Sequence, residues 1–356
     1  MKLTDVVNRI NGNVDRFTTD LEFYIGGEHF ESNELEVTQK GILKENLGKL
    51  GFKFHFAFQD RDVIFMARNP HLRKAGMVRF AGLCSDASYI LRSKDESVLS
   101  QEYLAVMLQS NHFWDYCESH KVGSVNFANN WSSIANYEFD LPSPEYQKEV
   151  SDKVWAAYRL KKSYRQLLAA TQEMVKSQFI EMFDFIDLDL NVPSNDFVSW
   201  CYDDTSSCTK IPAGDYQPKG KYAIYDQSQD KDIAGYRDDY HGLCNDYPAV
   251  LFGDHSRVIK YINEPFFIGA DGVKIIRPKT DEILTEFLYY DLKYHNIPNT
   301  GYNRHFKYLK MIRLTKATVD EQQNFLEIAH QADKSEFELR KSIESIDAVI
   351  KSLINS

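Results

Sequence analysis

An internal repeat constrains the fold of this 356-residue chain more than any other feature. "DVIFMARNPHLRKAGMVRFAGLCSDASYILR" begins at Asp62, and "AVLFGDHSRVIKYINEPFFIGADGVKIIR" begins at Ala249. An offset of 187 residues pairs Val63 with Val250, Phe65 with Phe252, Arg73 with Lys260, Phe80 with Phe267 and Gly82 with Gly269. After a slip of two residues, Asp86 pairs with Asp271, Arg92 with Arg277 and Leu99 with Leu284. The repeat predicts two copies of one folding unit.

The order of elements after each repeat segment is also the same. A short helix, a polar stretch and an apolar strand follow the first segment as "QEYLAVML", "VGSVNFANNWSSIANY" and "EFDLP". The second segment is followed by "TEFLYYDL", "NTGYNRHF" and "KMIRLT" in the same order. The duplication therefore extends well beyond the strands that first reveal it.

Each half then enters a long helix, predicted over about residues 144–183 and 319–354. Ser143 and Pro144 suit the cap and first turn of the first helix, and Thr318 and Glu321 have the spacing of a capping box. The apolar stripes are Val150, Val154, Ala157, Leu160, Tyr164, Leu168, Thr171 and Val175, and Phe325, Ile328, Ala332, Leu339, Ile343, Ile346, Ile350 and Leu353. Alternating steps of four and three residues are typical of a coiled-coil seam.

These patterns predict an α+β fold with two duplicated globular domains separated by two long helices. The helices are expected to pair as an antiparallel coiled coil, and the whole chain to be pseudo-twofold symmetric. The predicted ranges are 1–142 and 184–317 for the globular domains, and 143–183 and 318–356 for the helices. The alternative is that each helix packs only on its own globular neighbour.

Composition narrows the class of protein. With 43% hydrophobic residues the chain can build sizeable cores, yet it has no apolar run near the roughly 20 residues of a membrane span. The N-terminus lacks the apolar stretch of a signal peptide. Five scattered cysteines without a CxxC pair indicate neither a zinc site nor a disulfide framework, which favours a reducing cytoplasm. The net charge of −10 argues mildly against a nucleic-acid partner.

Several sequence segments resemble those of one known family, the specificity subunits of Type I restriction–modification systems. In the second half, "GKYAIYDQSQDKDIAGYRDD", "YPAVLFGDHSRVIKYINEPFFIGADGVKII" and "GYNRHFKYLKMIRL" followed by "DEQ" carry the resemblance. In the first half, "YIGGEHF", "VIFMARNPHLRKAG", "CSDASYILR" and "LPSPEYQ" carry it. The first half differs from the commoner pattern because it opens without the usual helical entry and apolar strand.

The resemblance implies a non-catalytic DNA reader in the cytoplasm of a prokaryote. Each globular domain would be a target-recognition domain that reads one half of a bipartite sequence in double-stranded DNA. The helical spacers would fix the gap and dock two modification (methyltransferase) subunits, and a restriction (translocase and nuclease) subunit would join the complex. No cofactor is implied for this chain, whereas S-adenosylmethionine, ATP and Mg would be bound by the partner subunits.

Several motifs suggest catalysis, but their context argues against it. Asn69-Pro70 could begin the catalytic loop of an amino-methyltransferase, yet the loop continues with His71-Leu72 and no Gly-rich turn precedes it. At the repeat offset, "RNP" falls on "HSR", so the loop is not tied to one chemistry. The run Asp254, His255 and Ser256 is too local for a hydrolytic triad. The sequence has neither a phosphate-binding GxxxxGK[ST] loop nor metal-ligand spacing.

Polar and basic loops are the better candidates for function. No acid occurs from Val63 to Ser85 or from Thr300 to Lys316, so these stretches suit contacts to phosphates. The predicted DNA contacts in the first half are Arg68, Asn69, His71, Arg73, Lys74, Asn126, Asn129 and Asn130. Those in the second half are Gln227, Gln229, His255, Arg257, Lys260, Thr300, Tyr302, Asn303, Arg304 and Lys307. Amides and guanidinium groups in these sets are the side chains that read base edges.

Two rival interpretations belong to other classes of protein. One is a stand-alone DNA methyltransferase or nuclease with fused recognition halves, which lacks the cofactor and metal motifs it would need. The other is an interaction scaffold that binds no DNA, with which the acidic composition is compatible. Binding to duplex DNA that weakens steeply with salt would separate a DNA reader from such a scaffold.

Overall fold

The computed structural model describes residues 1–124, 127–269 and 271–356. The chain forms two compact units. Unit 1 comprises Met1–Leu167 and Leu339–Ser356, and unit 2 comprises Leu168–Glu338. Each unit therefore contains one copy of the repeat together with part of each long helix.

The globular part of unit 1 is built from short elements. Its helices are α1 (Leu3–Val6), α2 (Leu43–Asn46), α3 (Gln101–Met107), α4 (Asn111–Ser119) and α5 (Trp131–Ala135). Its strands are β1 (Val7–Ile10), β2 (Phe23–Ile25), β3 (Gly41–Ile42), β4 (Phe54–Phe58), β5 (Val63–Met66), β6 (Ala75–Met77), β7 (Gly82–Ser85) and β8 (Ser88–Ser93). The first long helix, α6 (Pro144–Met182), follows.

Unit 2 repeats this plan. Its short helices are α7 (Asp196–Trp200), α8 (Thr285–Tyr294) and α9 (Phe306–Leu309). Its strands are β9 (Cys201–Asp203), β10 (Lys210–Ile211), β11 (Tyr222–Tyr225), β12 (Gly235–Arg237), β13 (Ala249–Gly253), β14 (Ile259–Ile262), β15 (Phe266–Gly269) and β16 (Val273–Pro278). The second long helix is α10 (Val319–Ile354). The predicted extents of both long helices are confirmed to within a residue.

The sheets confirm the duplication. The first sheet of unit 1 has the antiparallel order β1-β8-β5-β6, and its counterpart in unit 2 is β9-β16-β13-β14. The second sheets are β3-β2-β7-β4 and β12-β11-β15-β10, each with one central parallel pair. The fourth strands differ, because β4 runs antiparallel to β7 whereas β10 runs parallel to β15.

Strand register tests the residue pairs that the repeat predicts. Val63 lies opposite Leu91 and Val250 lies opposite Ile276, so Arg92 and Arg277 occupy the same place, as expected. The predicted match of Arg73 with Lys260 is wrong, because strand β6 begins at Ala75 whereas Lys260 lies inside β14. The loop after β5 is longer than the loop after β13, which shifts the offset there.

Both faces of the central strands are buried, which explains their continuous apolar sequences. In β5, Val63 and Phe65 face the core shared with the helices, whereas Ile64 and Met66 face the core between the two sheets. The same alternation occurs in β13, where Val250 and Phe252 belong to one core and Ala249 and Leu251 to the other. Each globular part is therefore a layer of helices on a sheet that packs on a second sheet.

The long helices begin at the predicted caps. The Ser143 hydroxyl accepts a hydrogen bond of 3.3 Å from the Tyr146 N–H. Thr318 and Glu321 form the reciprocal capping box, with bonds of 2.8 and 3.3 Å. The predicted apolar stripe of α6 is wrong at one position, because the Leu160 side chain is 46% exposed. Lys161 is buried in its place because acidic side chains surround its ammonium group.

The helices pack against each other within each unit. In unit 1, Lys161 pairs with Asp347 at 2.6 Å. In unit 2, Gln172 donates to Glu336 at 3.0 Å, and the Phe179 and Phe325 rings lie 5.1 Å apart. Residue numbers rise along one partner as they fall along the other, so the packing is antiparallel as expected. The alternative in which each helix packs only on its globular neighbour is wrong.

Three local expectations are corrected. The segments "EFDLP" and "KMIRLT" are not strands. Their apolar side chains, among them Phe139, Ile312 and Leu314, pack on the helix-side cores, and Glu138 forms an isolated bridge with Lys2. The first half also does not lack its entry elements, because α1 and β1 precede the sheet just as α7 and β9 do in unit 2.

Candidate nucleic-acid interface

Three loops of unit 2 converge on the turn that follows β13. The Gln227 Oε1 accepts a hydrogen bond of 3.1 Å from the His255 N–H, and the Gln229 Nε2 donates to the Ser256 carbonyl at 2.7 Å. The His255 Nδ1 lies 3.2 Å from the Asn303 carbonyl oxygen. Side chains predicted from three separate stretches of sequence therefore meet in one cluster, which we call the second contact cluster.

An exposed aromatic ring stands on this cluster. The Tyr302 ring stacks on the His255 ring with centroids 4.6 Å apart and an angle of 6° between the planes. Tyr302 is 84% exposed, the largest exposed fraction among the exposed large apolar side chains of the described residues. A supported, solvent-facing ring of this kind is a suitable stacking partner for a nucleobase.

Two buried residues hold the cluster together. The Asp254 carboxylate accepts from the Phe306 N–H at 2.8 Å, and the Asp254 carbonyl accepts from the His305 Nδ1 at 2.9 Å. The His305 Nε2 then accepts a hydrogen bond of 3.2 Å from the Thr300 N–H. The sequence predictions missed both residues, although each lies directly beside a predicted contact.

Two of the basic residues in this cluster are available to a ligand. Arg304 is exposed, and its side chain makes no hydrogen bond or ion pair within the described ranges. Lys307 is exposed as well, with its Nζ 4.8 Å from the centroid of the Tyr308 ring. Arg257 is half-buried in a left-handed turn with φ of 64°, and its guanidinium donates to the Ile297 carbonyl at 3.0 Å.

Lys260 and two polar residues have internal partners. Lys260 is 7% exposed, and its Nζ donates to the carbonyls of Lys231 at 2.6 Å and Asp232 at 3.0 Å. Burial lowers the pKa of Lys260. Lys260 therefore anchors the loop after β11 and is not part of the proposed contact surface. Thr300 and Asn303 are exposed but bond to each other through the Asn303 amide.

The first half brings its two predicted loops together in the same way. Arg68 forms a backbone bridge with Ala128. The Asn69 N–H donates to the Phe127 carbonyl at 2.9 Å, and the Asn129 N–H donates to the Ala67 carbonyl at 2.9 Å. The basic loop after β5 and the uncharged stretch before α5 therefore form one surface, the first contact cluster. The predicted contact Asn126 lies outside the described residues.

The basic loop after β5 has two sides. Arg68 and Asn69 are exposed beside the 127–129 segment. His71 and Arg73 instead line a cavity with residues of the long helices, and Arg73 donates to the Asn111 Oδ1 at 2.8 Å. Lys74 donates to the Gly27 carbonyl at 2.7 Å. Arg68 and Asn69 thus remain for a ligand, whereas Arg73 and Lys74 hold the loop in place.

The two asparagines before α5 have structural partners. Asn129 is 1% exposed, and its Nδ2 donates to the Cys117 carbonyl at 2.8 Å. This burial removes Asn129 from the proposed contact surface. The Asn130 Oδ1 caps α5 by accepting from the Ser133 N–H at 2.9 Å, which leaves its amide nitrogen facing solvent.

The geometry does not form a hydrolytic site. The Asp254 carboxylate bonds to the Phe306 N–H, the His255 ring to the Asn303 carbonyl and the Ser256 hydroxyl to the Val258 N–H at 3.3 Å. Within the described ranges no three His, Cys, Asp or Glu side chains are grouped to hold a metal ion. No helix of the described parts has the length and apolarity to cross a bilayer.

The fold and the two clusters together define a class of protein. Two layered α+β domains alternate with two long paired helices, and each domain gathers polar and basic side chains on the turn after its central strand. No family model matches the sequence, and no curated protein matches it. Solved structures of the same fold do match.

Two of the matching structures come from Type I restriction–modification systems. The S subunit of such a system from M. genitalium matches 99% of this chain and 94% of its own, with 13% identity and a TM-score of 0.55. A structure that describes complex assembly and conformational transition of the type I R-M system matches 99% of this chain and 95% of its own, with 15% identity and a TM-score of 0.53. The HsdS subunit from Thermoanaerobacter tengcongensis matches 99% and 94%, with 16% identity and a TM-score of 0.41. The first two likenesses establish the fold, which is the fold that the resemblance predicts.

Proposed function

We propose that this chain is the DNA sequence-recognition subunit of a Type I restriction–modification complex. It reads a bipartite target with a fixed gap, one half through each contact cluster. The observation that carries the proposal is the correspondence of the two clusters. In each unit the loop after the central strand bonds to the segment before the last short helix, through Asn69 and Asn129 in one and through Asp254 and His305 in the other.

The chain itself is proposed to be non-catalytic. In this proposal two modification subunits bind the long helices and supply S-adenosylmethionine, and a restriction subunit supplies ATP and Mg chemistry. The complex acts in the cytoplasm of a prokaryote. The fold likeness to S subunits supports this assignment, and the separate bonding of Asp254, His255 and Ser256 supports a binding role for the loop that carries them.

A selection experiment tests the proposal. The full chain, alone and with co-expressed Type I modification subunits, is incubated with duplexes that carry random sequence and variable spacing. The proposal expects enrichment of two short motifs at one separation, and adenine methylation of those duplexes only when the modification subunits are present. Enrichment of a single continuous motif, or methylation by the isolated chain, would overturn it.

Salt dependence distinguishes the proposal from a scaffold that binds no DNA. A reader that contacts several phosphates releases counterions, so the logarithm of its affinity falls linearly with the logarithm of salt concentration, by about 0.9 for each contact. A scaffold shows no duplex binding at any salt concentration. Titration of a labelled duplex at several potassium chloride concentrations measures the slope.

A further inference from the structure

A charged cluster with a buried Lys161–Glu34 pair at its centre joins one loop of unit 1 to both long helices. The Lys161 Nζ lies 2.7 Å from the Glu34 Oε1 and 2.6 Å from the Asp347 Oδ1, and the Lys161 side chain is only 5% exposed. The Arg165 Nη2 reaches the same Glu34 oxygen at 2.9 Å. Residues from α6, α10 and the 31–36 loop thus meet at one ammonium group, and we call this group of four residues the brace.

The braced loop is tied directly to the first contact cluster. The Asn33 N–H donates to the Arg73 carbonyl at 3.1 Å. The Gln109 Nε2 donates to the Glu34 carbonyl at 3.0 Å and to the Ala75 carbonyl at 2.7 Å. Arg73 and Ala75 end the loop that carries Arg68 and Asn69. A displacement of Glu34 therefore moves the C-terminal end of the proposed DNA-contact loop.

Close packing holds only part of this loop against the helices: Leu35 is 2% exposed in the core that includes Trp155 and Ile350, whereas Glu34 has open space beside it. The brace borders a cavity of about 660 Å³, lined also by Asn33, Gln109 and Ile350. The Glu34 Oε2 and the Gln109 Oε1 are buried without a hydrogen-bond partner among the described residues. Because space remains on the Glu34 side, the charged contacts position that side of the loop.

Electrostatics explains why a lysine suits this purpose better than a leucine. Burying an ion pair costs desolvation, so the net stabilisation is small, but the pair is satisfied only in one geometry. A polar residue in an otherwise apolar seam can set register in the same way. In unit 2 the two long helices contact each other through the apolar rings of Phe179 and Phe325 and through the hydrogen bond from Gln172 to Glu336.

We infer that Lys161 is a positioning residue, which fixes the first contact cluster relative to the two helices and thereby sets the gap at which the first half-site is read. This inference rests on the proposed function. It assigns gap selectivity to one side chain of the brace as well as to helix length, and it assigns the effect to the first half of the target only.

The test compares gap selection between variants of the full chain. Lys161→Met leaves the Glu34 carboxylate buried with less compensation, so the double variant Lys161→Met with Glu34→Gln removes both charges together. Lys161→Arg is the conservative variant. Lys153→Met is the matched control, because Lys153 is an exposed lysine of the same helix with a surface partner, Glu149.

The double variant is expected to keep both half-site motifs and to lose preference for the original gap over neighbouring gaps by about tenfold, within the range for residues of one ion-pair network. The single variant Lys161→Arg is expected to keep the wild-type gap preference, because it keeps a positive charge at this position. Lys153→Met is expected to keep it as well. Hydrogen exchange is measured in parallel without DNA, and the double variant is expected to lose protection at residues 33–37 and 67–74.

Each outcome is decisive. If the wild-type chain selects a gap and the double variant selects it equally sharply, Lys161 does not position the cluster, while the proposed function stands. If the wild-type chain selects no bipartite target, the proposed function fails. Unchanged exchange at residues 33–37 and 67–74 overturns the brace in either case.

Discussion

Gln147 and Gln322 make the same three hydrogen bonds at the start of the two long helices. The Gln147 Nε2 donates to the Val98 carbonyl at 2.8 Å and to the Pro142 carbonyl at 3.0 Å. Its Oε1 accepts from the Ser100 N–H at 3.0 Å. The side chain is 1% exposed, so one amide satisfies three buried backbone groups.

Gln322 repeats this arrangement in unit 2. Its Nε2 donates to the carbonyls of Glu282 at 2.8 Å and Ala317 at 3.0 Å, and its Oε1 accepts from the Leu284 N–H at 2.8 Å. Each glutamine side chain links the start of a long helix to the segment that precedes a short helix of the same unit, α3 in unit 1 and α8 in unit 2. The duplication thus extends to individual side-chain hydrogen bonds.

Replacing either glutamine is expected to destabilise the protein. Gln147→Ala and Gln322→Ala leave buried backbone groups without partners, which costs about 1–3 kcal/mol for each variant. Gln166→Ala, at an exposed position of the same α6 helix, is the control and is expected to stay within about 0.5 kcal/mol of wild type. Urea unfolding followed by circular dichroism measures the differences. Equal stability of all three variants would contradict the role of the two amides.

Arg304 is expected to contribute one phosphate contact. Arg304→Ala should weaken binding to all duplexes about equally and reduce the salt slope by about 1. Arg159→Ala, which removes an exposed arginine from α6, is the matched control and should leave the slope unchanged. Fluorescence titration at several salt concentrations gives both slopes. A slope that Arg304→Ala does not alter would mean that this guanidinium faces away from DNA.

Asp254 is expected to support recognition of the second half-site without touching it. Asp254→Ala removes the acceptor of the Phe306 N–H, at a cost of about 1–3 kcal/mol in stability, and loosens the turn that carries His255. Asp254→Asn keeps a carbonyl oxygen and should retain most of the function. Selection on random duplexes should show a blurred second motif and an intact first motif for the alanine variant. Equal loss of both motifs would indicate general unfolding instead.

Asp291 is expected to make stability depend on pH. Burial raises the pKa of Asp291 from 3.8 to about 6, although two hydrogen bonds from Thr315 favour the charged form. The folded state therefore binds the proton more tightly than the unfolded chain. This contribution is fully present below about pH 4 and is lost as pH rises through about 6, a change of about 3 kcal/mol.

Asp291→Asn removes this titration. Between pH 4 and pH 7 the free energy of unfolding of the variant should decline by about 3 kcal/mol less than that of the wild-type protein. Asp281→Asn, at an exposed position of the same unit, should follow the wild-type curve. Urea midpoints at four pH values provide the comparison. Parallel curves for wild type and Asp291→Asn would show that Asp291 does not titrate in this range.

The sequence predicts the long helices well because their signals are local, and it predicts the duplication because one half can be compared with the other at an offset of 187 residues. Caps such as Ser143 and Thr318 and the apolar stripes depend only on neighbouring residues. The stripe fails at Leu160 because the acids that neutralise Lys161 come from distant parts of the chain: Glu34 precedes it by 127 residues. A periodicity of apolar residues cannot reveal such a partner.

The contact clusters are predicted as loops more reliably than as individual side chains. Asn129 and Asn130 are neighbours in one polar stretch, yet the first is buried on Cys117 and the second caps a helix at the surface. Lys260 carries the same charge as Lys307, but a strand position buries it. Which side chain faces outward depends on strand register and loop closure, and neither is apparent from residue type.

The two copies of the repeat differ at one edge of the second sheet. Strand β4 joins β7 from a segment that follows β3, whereas β10 joins β15 from a segment that precedes β11. An edge strand has a neighbour on one side only, so a different segment can take its place with little effect on the strands inside. Divergence between the ancestral copies therefore accumulates at the margin of each domain, while the strand order at its centre is kept.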